Sequence, residues 1–169
     1  MEVGRKLYYD NTTGIIVLST GERKGSVLET TIQEDFNLYP SLKNRTLKNT
    51  RVLQLQYGER VDEFEDLGSY HVSLETQELI IYPRVKIAAD KKVATIGEVI
   101  RITASIDSKD MVEMKFKIDE DAYPMACNNG IAGLEFVSEI PGVYEVEVDA
   151  YKYGKNFLVL EVVDDDKRV

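Results

Sequence analysis

The chain has 169 residues, of which 43% are hydrophobic and 30% charged, a balance typical of a folded protein. It has no apolar run of about eighteen residues, so a transmembrane helix is excluded, and its single cysteine, Cys127, excludes an intramolecular disulfide and a cysteine-based zinc site. The net charge of −9 disfavours nucleic acid and anionic membranes as partners. The amino terminus shows no apolar stretch with a cleavage site, so we expect no secretory signal peptide and synthesis in a cytoplasm.

The chain opens with a predicted β-hairpin. The alternating sequence KLYYD at residues 6–10 and the β-branched sequence IIVLST at 15–20 flank NTTG, which has turn chemistry. The sequence GERKG at residues 21–25 predicts a second turn.

A short helix is predicted next. Thr31 offers a hydroxyl cap, with an acidic side chain three positions later, as in a capping box. Ile32, Phe36 and Tyr39 would then lie on one helical face, and Pro40 would end this helix or begin another turn.

The following segments predict more strands and a second helix. Residues 52–57 alternate as a strand, and residues 59–67 have helical spacing and would end at Gly68. Residues 69–73, which include the only histidine, His71, and residues 78–85 predict two further strands. We therefore predict a small α+β domain over residues 1–86, with four or five strands and two short helices.

Residues 83–92 mark the predicted domain boundary, since IAADKK at 87–92 is polar and charged. The second domain, residues 87–169, has almost only period-two patterns. The predicted inward rows are Ile100, Ile102, Ala104 and Ile106; Val112, Met114, Phe116 and Ile118; and Tyr144, Val146, Val148 and Ala150.

About seven strands in this region predict an all-β, immunoglobulin-like sandwich with an acidic C-terminal tail. The sequence NNG at residues 128–130 is a strong turn signal. Tyr144, near the start of a long late strand, fits the tyrosine corner of such folds, although the chain has no tryptophan and no cysteine pair.

No catalytic motif is present, and with one histidine and one cysteine the common acid–base and nucleophile pairs are lacking. We predict no enzyme activity, no catalytic residues and no cofactor. The acidic clusters at 119–121 and 164–166 lack the spacing of a calcium loop, so we predict no metal site, with calcium as a minor alternative.

Two sets of residues are candidates for binding. Tyr151, Tyr153, Lys155 and Asn156 lie at the tip of the last predicted hairpin, where tyrosine could serve as a rigid anchor. The one basic concentration, formed by Lys43, Arg45, Lys48 and Arg51, is interpreted as a solvated connector, with docking onto an acidic partner as the alternative.

The sequence carries two resemblances. Residues 4–42 and 52–83 resemble small proteins of tailed phages and prophages of Gram-positive bacteria. Residues 93–162 resemble bacterial and phage immunoglobulin-like domains, most specifically in the pattern PGxYxVxVxAxxYGxN, which begins at Pro141.

These resemblances imply a virion protein of the tail, neck or capsid, made in the host cytoplasm. Its partners would be other virion proteins and, through the exposed immunoglobulin-like domain, cell-wall carbohydrate, and it could form a homo-oligomer. The alternatives are an assembly chaperone for the tail or baseplate, a host-encoded adhesion module and, last, a wall-cleaving enzyme.

Overall fold

A computed structural model describes residues 1–164, and the chain is mostly β over these residues. Contacts divide it into two compact units. The N-terminal unit comprises residues 1–66 and 70–81, and the C-terminal unit comprises residues 67–69 and 82 onward. The division into separate domains at residue 86 stays a prediction. Within residues 1–164, no helix has both the length and the apolar character needed to cross a membrane.

The N-terminal unit combines short strands with two short α-helices. The strands of the first part of the chain are β1 (Glu2–Val3), β2 (Lys6–Asp10), β3 (Ile16–Ser19), β4 (Arg23–Lys24), β5 (Thr50–Gln54), β6 (Leu67–Val72) and β7 (Leu79–Pro83). The helices are α1 (Ile32–Leu38) and α2 (Val61–Glu65), and Pro40–Leu42 forms a 3-10 turn.

Strand β2 lies in the centre of a three-stranded antiparallel sheet, between β3 and β5. The predicted hairpin is therefore confirmed, with a register shift between Tyr8 and Tyr9. The turn predicted at residues 21–25 is wrong, because Arg23 and Lys24 pair with Val3 and Glu2 as a small sheet. A core of Leu7, Tyr9, Leu55, Val72 and Leu79 holds the unit together.

Helix α1 begins as predicted, but its most buried residue is charged. Thr31 and Glu34 form a reciprocal capping box. Ile32 is 37% exposed, whereas Asp35 is fully buried. This residue forms an ion pair with Lys6 Nζ at 2.8 Å and accepts hydrogen bonds from the Tyr8 and Thr30 hydroxyls. The helix is therefore fixed by a polar contact to β2 as well as by its apolar face.

The C-terminal unit contains eight of the described strands in two sheets. The remaining strands are β8 (Lys86–Ala89), β9 (Val93–Thr95), β10 (Ile100–Ser105), β11 (Glu113–Ile118), β12 (Asp121–Ala126), β13 (Ile131–Phe136), β14 (Gly142–Asp149) and β15 (Lys155–Val163). One sheet has the order β13-β10-β8 and the other has the order β12-β11-β14-β15-β9, in which only β9 and β15 are parallel.

The predicted alternation places the core between these sheets. The fully buried side chains include Ile100 and Ile102 of β10, Met114 and Phe116 of β11, and Val146 and Val148 of β14. Val112 was predicted to lie in the same inward row, but it is 80% exposed, because it precedes β11 and lies in a loop. The apolar rows thus predicted the sheet faces but not the point at which this strand begins.

Tyr144 makes the tyrosine-corner contact predicted from the sequence. Its hydroxyl donates to the backbone carbonyl of Ile140 over 2.8 Å and lies 2.8 Å from the hydroxyl of Ser138. This contact fixes the start of β14 against the segment that leads into it.

Two local predictions at the ends of elements were wrong. Ile87 and Ala89, which were assigned to a polar linker, lie in β8 and pair with β10. Short edge strands tolerate polar side chains, so composition alone did not reveal this one. Gly68 does not end α2, because the helix stops at Glu65 and Gly68 lies inside β6.

Candidate binding cleft in the C-terminal unit

Two connections of the C-terminal unit border an open cleft of about 400 Å³. One wall comes from the loop between β10 and β11, and the other from the turn between β14 and β15. The lining residues are Asp110, Met111, Val112, Glu113, Tyr151 and Lys152. Tyr151 is 59% exposed and Val112 is 80% exposed, so large apolar surfaces remain open to solvent at the cleft. Apolar walls with a few polar groups are typical of a ligand site.

The turn that carries Tyr151 is held by short-range hydrogen bonds. The Tyr151 N–H donates to Asp149 Oδ1 over 2.9 Å, and the Gly154 N–H donates to the Tyr151 carbonyl over 2.8 Å. The Ala150 N–H donates to the Gly154 carbonyl over 3.0 Å, which closes the turn. These bonds keep the backbone at Tyr151 in one conformation.

Tyr151 itself has a left-handed backbone, with φ of +54°. This region is unfavourable for a residue with a Cβ, at a cost on the order of 1–2 kcal/mol. Strained conformations of this kind are concentrated at functional sites. Because the Tyr151 ring is largely exposed and does not contribute to the core, packing does not explain this conformation, and Tyr151 is a candidate binding residue.

A layer of aromatic rings lies beneath the turn. Tyr153 is only 7% exposed, and its ring packs edge-on against Tyr82 with centroids 5.5 Å apart. The Lys152 ammonium lies 4.6 Å from the Tyr82 ring centroid and 5.5 Å from that of Tyr153. Cation–π contacts of this length attract the ammonium and hold its side chain beside the cleft.

Gly68 supports the turn from the other side. A Cβ at this position would lie 2.7 Å from the Tyr153 carbonyl carbon and 2.8 Å from the Tyr82 carbonyl oxygen. Ser69 Oγ, one residue further on, donates to the Lys152 carbonyl. The glycine therefore allows the backbone at residues 67–69, which belong to the same unit, to lie directly against the turn.

We expect Gly68→Ala to loosen this turn and to destabilise the C-terminal unit by about 1–3 kcal/mol, since the methyl group would meet backbone atoms on two sides. Hydrogen exchange should show faster exchange at the amides of Tyr153 and Gly154, and urea unfolding should give the free energy. Gly21→Ala is the matched control, because nothing lies within 4 Å of a Cβ placed there. Equal stability of the two variants would contradict this role of Gly68.

The structure separates the four binding residues predicted from the sequence. Tyr151 lines the cleft, and Lys155 is exposed and donates to Glu147 Oε1 over 2.9 Å, which raises the pKa of its ammonium. Tyr153 is buried, so its predicted place on the surface is wrong. Asn156 Nδ2 donates to the Val85 carbonyl over 2.8 Å, and this hydrogen bond links β15 to the residue before β8. A binding role for Tyr151 and Lys155 stays a prediction.

Sequence reasoning missed the opposite wall of the cleft. Met111 and Val112 were predicted to begin a strand, and Lys152 was not among the predicted binding residues. The available signal was the short loop at residues 107–110, because in a sandwich alternate connections meet at one end of the sheets.

Cys127 is a partly buried free thiol whose surroundings disfavour ionisation. Burial raises the pKa of the Cys127 thiol, and the nearby charge of Glu113 adds to this effect, so the thiolate is disfavoured. Within residues 1–164, no group of three or more His, Cys, Asp or Glu side chains is placed to hold a metal ion. Asp165 and Asp166 of the second acidic cluster lie outside the described residues.

Comparisons with known proteins identify no family. No protein-family model matches the chain, and no curated protein matches it. Among solved structures, the chain is similar to a polysaccharide lyase at 14% identity, with a TM-score of 0.43 over 48% of this chain and 12% of that one.

Two further solved structures are similar to this chain. The D00-D0 domain of intimin matches at 16% identity, with a TM-score of 0.41 over 69% of this chain and 57% of that one. The fibronectin(III)-like modules of CbhA from Clostridium thermocellum match at 14% identity, with a TM-score of 0.33 over 96% of this chain and 78% of theirs. This chain thus spans well under two thirds of the lyase and slightly over half of the intimin fragment. Because all three TM-scores lie below 0.5, we base no conclusion about function on them.

Proposed function

We propose that this protein is a non-enzymatic binding protein of a phage particle, whose C-terminal unit is an immunoglobulin-like module that contacts the host surface through the cleft at Tyr151. The observation that carries the binding role is the exposed Tyr151 ring on a strained but hydrogen-bonded turn beside an apolar wall. The virion assignment is supported by the sequence resemblance alone.

The immunoglobulin-like assignment is supported by the order of the strands. The chain passes from β8 in one sheet to β9, which pairs in parallel with β15 of the other sheet. The hydroxyl of Tyr144 then bonds to a backbone carbonyl before β14. A sandwich of two sheets with a tyrosine corner is the arrangement expected of this class.

The cleft suits a weakly bound carbohydrate. A tyrosine ring offers an apolar face for the C–H groups of a sugar and a hydroxyl at its edge. Asp110, Glu113 and Lys152 supply charged acceptors and donors for sugar hydroxyls. Because the turn is already ordered by its own hydrogen bonds, binding would cost little conformational entropy at Tyr151.

We expect Tyr151→Ala to lower binding to wall preparations from a panel of Gram-positive bacteria by about tenfold or more, as for an anchor residue. The measurement is sedimentation of the full chain with insoluble wall. Phe157→Ala is the matched control, because Phe157 is 50% exposed on β15 and does not line the cleft. Equal binding by both variants, or no binding to any wall, would overturn the host-surface role.

Mass spectrometry of purified particles tests the virion assignment separately. Stoichiometric recovery of the chain supports it. Presence in infected cells but not in finished particles would instead indicate an assembly chaperone.

A further inference from the structure

A groove on the N-terminal unit has a charge opposite to that of the chain as a whole. It has a volume of about 520 Å³ and lies between α1 and the segment that follows the Pro40–Leu42 turn. Its lining residues are Gln33, Phe36, Asn37, Leu42, Lys43, Arg45, Thr46, Leu47 and Lys48. No carboxylate is among them, and residues 36–58 contain no Asp or Glu although the chain has 30. The groove is therefore a basic site on an acidic protein.

The positive charges that remain available are those of Lys43 and Lys48. Both side chains are exposed, and neither ammonium has a hydrogen-bond or ion-pair partner among residues 1–164. Arg45 is different, because its Nη1 lies 3.0 Å from Asp10 Oδ2. The guanidinium therefore anchors the wall of the groove, and the two lysines are left to meet an incoming anion.

The groove is already ordered in the absence of a partner. Leu42 is fully buried at its base, and Asn11 Nδ2 donates to the Lys48 carbonyl over 2.7 Å. The Thr46 N–H donates to Asn49 Oδ1 over 2.9 Å, which closes the turn that carries Leu47. A preformed wall lowers the entropic cost of binding.

The apolar part of the groove indicates which class of anionic ligand would suit it. Leu47 is 64% exposed, although it lies between two basic residues. Phe36 is the one aromatic side chain among the lining residues, and its ring makes a T-shaped contact with Tyr8 at a centroid distance of 5.9 Å. Nucleic acid sites need stacking rings and a basic field, whereas the net charge here is −9. Two lysines beside a leucine instead match carboxylates placed next to an apolar side chain.

We propose that this groove, lined by Lys43, Lys48 and Leu47, binds an acidic peptide segment of a partner protein, in which Asp or Glu residues flank an apolar residue. The lysines attract the carboxylates, and the apolar residue covers Leu47. Binding of this kind weakens with salt, because the charges are exposed.

The probe for this proposal is a random dodecamer peptide library selected on the immobilised full chain. We expect the selected peptides to be enriched in Asp and Glu beside Leu, Ile, Val or Phe. Fluorescence anisotropy with the best labelled peptide should show that Lys43→Glu/Lys48→Glu binds it at least tenfold more weakly than the wild type does. The wild type should also bind it at least tenfold more weakly in high salt than in low salt. Leu47→Ser should weaken binding by about threefold or more.

The matched control is Lys92→Glu/Lys109→Glu, which changes the net charge equally at exposed lysines outside the groove and should alter binding less than twofold. Selection of peptides without acidic residues, or equal binding to both double variants, would overturn the proposal. Tighter binding of a twelve-residue oligothymidylate than of the peptide would also overturn it, in favour of a nucleic acid. If the wild type self-associates and Lys43→Glu/Lys48→Glu abolishes this association, the proposal of a separate partner protein would be overturned in favour of a second copy of the chain.

Discussion

Replacing Asp35 by alanine is expected to destabilise the N-terminal unit by about 3–5 kcal/mol, because it leaves the Lys6 ammonium buried without its counter-ion. Asp35 is fully buried and Lys6 is 4% exposed, so water cannot replace the lost contact without a local opening. The Tyr8 and Thr30 hydroxyls would lose their acceptor in the same step. Urea unfolding monitored by tyrosine fluorescence measures the change.

A double variant separates the cost of an unpaired charge from the value of the ion pair. Lys6→Met/Asp35→Leu removes both charges and keeps the side-chain volume close to that of the wild type. We expect it to recover part of the stability lost in Asp35→Ala, since apolar replacements of buried pairs are often neutral, whereas the Tyr8 and Thr30 hydroxyls still lack their acceptor. A loss below about 1 kcal/mol in Asp35→Ala would show that the pair is solvated and would contradict its burial.

The pH dependence of unfolding gives an independent test of the same contact. Burial alone would raise the pKa of Asp35, but hydrogen bonds from Lys6, Thr30 and Tyr8 outweigh burial and lower it below its usual value. Stabilisation by Asp35 is therefore present above about pH 4, the unfolded pKa, and is lost as pH falls through the folded pKa. Asp35→Ala should show a shallower loss of stability in acid than the wild type.

Tyr8 gives the corresponding effect in alkali. Burial, followed by the hydrogen bond and charge of Asp35, raises the pKa of the Tyr8 phenol above its ordinary value. Its stabilising effect is therefore present below about pH 10 and is lost as pH rises through the folded pKa.

Local sequence patterns predicted the elements whose causes are local. The capping box at Thr31 and Glu34 depends on residues three positions apart, and the structure confirms it. The inward rows of β10 and β14 follow from alternation within each strand, and they are also confirmed. The contact of Tyr144 could be predicted because it reaches back only four residues.

Contacts between distant residues were not predictable in this way. Asp35 lies in a helix with an apolar face at Phe36, and nothing near it indicates that Lys6, 29 residues earlier, provides its counter-ion. Gly68 was predicted to end a helix from the residues next to it. Its actual contact, with Tyr153, lies 85 residues away in sequence and leaves no local signal. Tyr151 and Tyr153 were equivalent in the sequence, and only the 3-10 turn that Tyr151–Tyr153 form exposes the first and buries the second.

Phe116→Ala is expected to destabilise the C-terminal unit by about 3–5 kcal/mol. Phe116 is fully buried in the middle of β11, with Val148 and Tyr123 as its cross-strand neighbours. Its removal loses the free energy gained by burying the ring and leaves a cavity between the two sheets. Because each sheet is fixed by its own hydrogen bonds, the cavity can close only partly. Phe116→Leu, which keeps most of the volume, should cost less than about 1.5 kcal/mol.

Phe157→Ala provides the comparison on the same sheet, because Phe157 lies on the opposite face of β15 and is 50% exposed. Its loss should change the free energy of unfolding by no more than about 0.5 kcal/mol. If the N- and C-terminal units are separate domains, as the sequence predicts, calorimetry should show that Phe116→Ala lowers one transition and Asp35→Ala the other. A single transition lowered equally by both variants would mean that the chain unfolds as one cooperative unit. Similar losses of stability in Phe116→Ala and Phe157→Ala would contradict the assignment of the inward row, on which the sandwich of the C-terminal unit depends.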